Sequence, residues 1–144
     1  MRAILIDPFN ETVTEVEHNG DYREIYKLLS HETVKVDTFT VIGIDHNDAI
    51  YVDDNSLLGT PTHFFRWRDY PQPLAGKGLI LGTNDEGESV SPVIALDRAK
   101  DNVVWANDLE FVELQPFEDV MDHPVLGKDT PVFGNKPIFR VKAK

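Results

Sequence analysis

The 144-residue chain contains no cysteine. That absence excludes a disulfide framework, a thiol nucleophile, thiolate zinc sites and iron–sulfur ligation, and it accords with a reducing compartment. Long apolar runs are missing as well. No stretch approaches the roughly 20 residues a membrane helix needs. The apolar run in the opening MRAILIDPFNE is cut by Asp7 and Pro8 before it could form a signal-peptide core. These absences predict a protein that stays off the membrane and in the cytoplasm. Positive charge is scarce too, 14 Lys and Arg against 25 Asp and Glu for a net of −11. Direct binding to duplex nucleic acid is therefore not expected, because its phosphates would repel the chain. The imbalance lies at the front: residues 1–60 hold 12 acids and 4 bases, residues 61–144 hold 13 and 10. Its first meaning is solubility.

What is present is globular. Hydrophobic residues make up 41% and aromatics 10%, and a chain of this length buries roughly 68–70% of its unfolded surface. One domain over residues 1–144 is expected, with an acidic subregion 1–60 and a β-rich subregion 61–144. Residues 2–6 and 12–17 read as β-compatible runs flanking a turn, hence a hairpin. Asn19-Gly20 breaks it. Asp21 then offers an N-cap with Glu24 at capping-box spacing, and Tyr22, Ile25, Tyr26 and Leu29 fall on one helical face. Residues 34–44 switch to period two and predict a strand that turns at His46-Asn47-Asp48 and returns through Ala49–Val52. The first half thus reads ββαββ, one short helix on a mainly antiparallel sheet, and the fold class is α+β.

The second half predicts strands at His63–Asp69, Leu79–Leu81, Val90–Leu96, Asn102–Trp105 and Leu109–Leu114. A short helix is expected after Pro116, with proline at its first position. Pro116, Pro124, Pro131 and Pro137 then predict an extended Pro-rich segment packed on the body and ending in a strand at 138–142.

Motifs for chemistry are few. His46, Asp48, Asp53 and Asp54 cluster in sequence, but counting a calcium loop from Asp45 places Ala49 at a ligand position and no glycine after it. Gly76-Lys77-Gly78 lacks the preceding Gly and the following Ser or Thr of a phosphate loop, and it precedes a strand instead of a helix. The serines stand in no nucleophile-elbow pattern. No metal, no cofactor and no enzymatic activity are expected. The unusual segment is HFFRWRDY, where two arginines interleave with aromatics. As a strand it would put Phe65 and Trp67 on a core face and Arg66 and Arg68 on the other, free to grip an anion or to pair with the acidic half.

The segments AILIDP, TVTEVE, GDYREIYKLL and AIYVDDNSLLG, followed by HFFRWRDYPQPLAGKGLILGTNDEGE, resemble a family of small uncharacterised proteins of bacteriophages and bacterial mobile elements. The resemblance covers residues 3–88. It carries no catalytic residues and implies a gene product acting inside a bacterial host. Two functions follow as expectations. One is an accessory protein that binds and inhibits a host or defence protein, with Glu15, Glu17, Asp48, Asp53 and Asp54 imitating nucleic-acid charge toward a basic surface. The other is capture of a small signalling nucleotide by Arg66, Trp67, Arg68 and Tyr70. An enzyme of unrecognised type is the third alternative, and the oligomeric state is left open.

Overall fold

The computed structural model describes residues 1–32, 34–57 and 61–143. Two helices join a strand-rich, largely antiparallel architecture. Arg2–Asp7 (β1) and Thr12–Glu17 (β2) form the expected hairpin, paired from Arg2↔Glu17 to Asp7↔Thr12. Tyr22–Leu29 is α1, capped by Asp21, whose carboxylate accepts from the Arg23 amide at 2.9 Å. The capping box itself does not close, because the Asp21 N–H donates to Asn19 Oδ1 instead of Glu24. Ile25 and Leu29 are buried, as the periodicity requires, whereas Tyr22 is 59% exposed. It lies one turn ahead of the point where α1 meets the sheet and rests edge-on against Tyr26.

The strand expected over residues 34–44 is only Phe39–Gly43 (β3). It pairs residue for residue with Asp48–Asp53 (β4), from Phe39↔Asp53 to Gly43↔Ala49. Among the described residues the ladder goes no further than Phe39↔Asp53. Val36 instead tucks under α1 and donates its N–H to the Ser30 hydroxyl at 3.0 Å. A 3-10 turn, Asp45–Asn47, links β3 and β4, with His46 and Asn47 both left-handed.

The ββαββ unit does not close on itself. Gly78–Thr83 (β7 in chain order) lies between β1 and β4, giving the sheet order β2-β1-β7-β4-β3. This strand is an uninterrupted apolar run because both of its faces are covered. Register aligns Ile4, Ile80, Ile50 and Ile42 across four neighbouring strands on one face. Ala3, Leu79 and Leu81 point the other way, onto Ile25 and Leu29 of α1. The division expected between residues 60 and 61 lies at 58–60, outside the described residues. Its acidic half takes its central strand from the other half.

Across the isoleucine face packs a small second sheet of Phe64–Trp67 (β5), Leu74–Ala75 (β6) and Val103–Trp105 (β9), in the order β6-β5-β9. Ser89–Val90 (β8) pairs briefly with β7. The strand expected over Val90–Leu96 stops there, and Leu96–Asn102 is a helix, α2, with Ala99 fully buried. Its N-cap is Ala95, which makes no side-chain cap bond, so the usual signal for a helix start is missing.

The C-terminal expectation is overturned most plainly. Leu109–His123 (β10) and Gly127–Val141 (β11) form a long two-stranded hairpin in place of a short helix and an extended tail. Pro116 could start a helix only if the following amides bonded within it. Here they pair with β11 from Glu113↔Ile138 to Met121↔Thr130. The base of this arm packs Phe111 and Phe139 against Phe64.

One buried group at the β2–α1 junction makes stability depend on pH. His18 is 2% exposed; its Nδ1 accepts from the Gly20 amide at 2.9 Å and, among the described residues, its Nε2 has no hydrogen-bond partner. Burial, and secondarily the N-terminal ammonium, hold its pKa below the ordinary value of 6.5 against the pull of Glu24 and Asp21. The folded state therefore binds fewer protons than the unfolded one, and stability falls as pH drops through 6.5 toward the folded value. His18→Leu should flatten that part of the melting temperature-versus-pH curve relative to the wild type. Parallel curves would show that this imidazole does not carry the effect.

Candidate functional site

A cleft of about 940 Å³ opens between the Asp45–Asn47 turn, the turn that follows β5, the 93–95 segment and α2. Its volume falls in the range of small-molecule sites. β5 ends at Trp67 because Arg68 and Asp69 turn the chain, Asp69 with φ 70. The expected seven-residue strand is therefore four residues long. This ending separates the two arginines that a longer strand would have placed side by side. Arg66 stays exposed on β5 outside the cleft, while Arg68, Trp67 and Tyr70 line it. Trp67 is 7% exposed and acts as a wall, its ring belonging to the core with Phe65. Tyr70 is half-buried and is the aromatic surface within reach of a ligand.

A second arginine arrives from α2. Arg98 lines the cleft one helical turn before Asn102, whose side chain donates to the Arg98 carbonyl at 2.8 Å. Arg68 donates to the Asp101 carbonyl at 3.2 Å. Among the described residues, neither guanidinium lies within 4.0 Å of a carboxylate. Asp45, Asp69 and Asp101 line the same cleft and are exposed acceptors. The site thus presents two planar donor forks, three exposed carboxylates and a phenol, enough to hold a phosphate and accept from sugar hydroxyls or amino groups. Arg98 escaped the sequence reading because it lies between the strands expected at Val90–Leu96 and Asn102–Trp105, in a stretch where no element is expected. The Leu-Asp-Arg-Ala-Lys composition, with Asp97 early and Lys100 late in the helix, is the signal that could have found it.

Asp48 has a different task from the surface role expected of it. It is 2% exposed and accepts from the Val93 and Ile94 amides at 2.9 and 2.8 Å. Arg2 clamps the same segment from the other side, donating to the Pro92 and Ile94 carbonyls at 2.6 and 2.8 Å. Together they fix the wall of the cleft that leads into α2. A side chain at Gly82 would intrude here: its Cβ would stand 2.9 Å from the Ser91 carbonyl oxygen and 3.2 Å from Asp48 Oδ1.

The remaining acids do not converge. Glu15 and Glu17 lie on β2, at one edge of the sheet, and are engaged by Arg2 and the N-terminal ammonium at 3.1 and 3.6 Å. Asp53 and Asp54 lie at the end of β4, with β1 and β7 between, a separation of roughly 14 Å across the sheet at ~4.8 Å per strand. Burial raises the Asp53 pKa, while the Asn55 amide opposes the shift. Asp54 accepts from the Thr40 hydroxyl. Among the described residues no group of three or more His, Asp or Glu side chains is placed to hold a metal ion, and no helix is long and apolar enough to cross a membrane.

No protein-family model matches the chain, and no solved structure matches it significantly. It is similar to y4iR, an uncharacterized protein of Sinorhizobium fredii, with 31% identity over 101 residues. The match covers 67% of this chain and 58% of that protein, so the chain spans less than two thirds of its relative's length.

Proposed function

We propose that this protein acts by binding, in a phage or mobile-element setting within a bacterial cytoplasm, and that its ligand is a small nucleotide held in the cleft. The observation that carries this reading is the convergence of Arg68 and Arg98, thirty residues apart and without a carboxylate partner among the described residues, on one roomy cavity beside Tyr70. In it the guanidinium forks take the phosphate, Tyr70 stacks on the base, and Asp45 or Asp69 accepts from the sugar hydroxyls. Inhibition of a host or defence protein through an acidic surface draws less support. Its residues form two separated pairs, Glu15 with Glu17 and Asp53 with Asp54, and its fifth member, Asp48, is buried.

Calorimetry against a panel of mono-, di- and cyclic nucleotides tests the proposal. At least one member should bind the wild-type protein. Arg68→Ala or Arg98→Ala should each weaken that binding tenfold or more, since a hydrogen bond to a charged group is worth roughly 1.5–3 kcal/mol. Arg66→Ala, outside the cleft, should leave it unchanged. Absence of binding across the panel, or equal losses in all three variants, would sink the reading.

A further inference from the structure

The junction between β2 and α1 carries the chain's single Asn-Gly pair, Asn19-Gly20, and both residues are exposed. Gly20 adopts φ 86, a conformation that suits a residue without Cβ, and no side chain of its own crowds its amide nitrogen. In such a pair the backbone nitrogen attacks the preceding side-chain amide carbon and closes a five-membered imide. Three demands slow that attack. The nitrogen must lose its proton, the side-chain carbonyl must take on negative charge, and the leaving nitrogen must gain a proton. The fold supplies a group for each.

The Gly20 N–H donates to His18 Nδ1 at 2.9 Å. A ring nitrogen that accepts carries no proton, so His18 holds its own proton on Nε2. An imidazole in this tautomer, bonded to the hydrogen that must be removed, stands where a general base is needed. Burial holds the ring below its ordinary pKa, so it is neutral and able to accept at neutral pH. The carboxylates of Glu24 and Asp21 favour the cation once it forms, against burial and the N-terminal ammonium. At the other end, Asn19 Oδ1 receives the Asp21 N–H at 2.8 Å. That donor points at the oxygen on which charge develops, the arrangement of an oxyanion hole. The Gly20 N–H lies in the peptide plane toward the imidazole, which leaves the face of the nitrogen for Asn19 Cγ.

We infer that Asn19-Gly20 is a self-modifying site, where His18 as base and the Asp21 amide as oxyanion donor drive conversion of Asn19 to aspartate and isoaspartate. The Gly20 nitrogen passes its proton to His18 Nδ1 as it bonds to Asn19 Cγ. The tetrahedral intermediate holds its charge on Oδ1, against the Asp21 N–H. Its collapse breaks the Cγ–Nδ2 bond, and His18 returns the proton to the departing ammonia. Water then opens the imide at either carbonyl, with no change of oxidation state. The product places a new negative charge two residues before the Asp21 cap. In the isoaspartyl form the backbone there is also one carbon longer.

The direction in which folding changes the rate decides between this role and a structural one. Hydrogen bonds that only order the junction would slow the reaction relative to a flexible chain. A positioned base speeds it, by roughly 10²–10⁴-fold where it is fully effective. The full chain is incubated at neutral pH in heavy-oxygen water, folded in buffer or unfolded in guanidinium chloride, and residue 19 is followed by peptide mass spectrometry. Folded Asn19 should convert at least tenfold faster than unfolded Asn19, with one heavy oxygen taken up and both isomers formed. His18→Leu, in its folded form, should lose that advantage. Equal or slower conversion in the folded wild type would overturn the inference without recourse to any variant. So would an undiminished rate in folded His18→Leu, or aspartate formed without isoaspartate, the mark of direct hydrolysis.

Discussion

Truncating Phe65 to alanine should lower the unfolding free energy by about 3–5 kcal/mol, the range for a fully buried phenylalanine. The side chain is 0% exposed and sits in the cluster formed by Ile4, Ile50 and Ile80 with Trp67 and Ala99. Its ring also occupies the space left by the absent Cβ of Gly78, which would approach Phe65 Cζ to 2.8 Å. Neither the central strand nor the second sheet can collapse easily into the gap, because both are pinned by their own ladders. Arg66→Ala, one residue along the same strand and exposed, should change stability by less than about 0.5 kcal/mol. A denaturant melt of the two variants separates the core role of this segment from its surface role. A loss below about 1 kcal/mol for Phe65→Ala would mean that the second sheet does not pack on the isoleucine face as described.

Replacing Asp48 with alanine should be of similar severity, about 3–6 kcal/mol, from two hydrogen bonds to a charged acceptor at roughly 1.5–3 kcal/mol each. The change removes the carboxylate that receives the Val93 and Ile94 amides and, among the described residues, leaves those donors without an acceptor. Asp48→Asn keeps one acceptor oxygen and should lose about half as much. The segment released also forms a wall of the cleft and leads directly into the helix bearing Arg98. Nucleotide affinity should therefore fall in Asp48→Asn even under conditions where the variant is folded. Urea melts followed by calorimetry on the folded fraction measure both effects. If Asp48→Ala melts like the wild type, this carboxylate is not the clasp its geometry makes it.

These two residues also mark where sequence reasoning reached and where it stopped. The alternation that puts Phe65 and Trp67 on a core face is local, since side chains on a strand point alternately to its two faces. It was legible from HFFRWRDY alone. So were the β1–β2 hairpin, the buried Ile25 and Leu29 stripe of α1 and the β3–β4 turn, each written in short-range periodicity and turn chemistry. Asp48 was legible only as an acid next to a turn. Its burial depends on the 92–94 backbone arriving more than forty residues later, and nothing nearby in the chain records that arrival. The same holds for Arg98, whose helix starts without a capping side chain, and for the insertion of β7 between β1 and β4.

The sequence by itself determined an acidic, cysteine-free α+β chain with its first five elements in order, because composition and local periodicity are properties of neighbouring residues. Tertiary structure alone decided three further things: that Arg68 and Arg98 share a cleft while Arg66 does not, that the five candidate acids separate into two surface pairs and one buried clasp, and that the proline-bearing C-terminal residues form a hairpin. Each turns on which distant strand or loop supplies the hydrogen-bond partner. Pro116 can open a helix or stand in an edge strand with equal local ease, and the fifteen-residue partner β11 settles the matter.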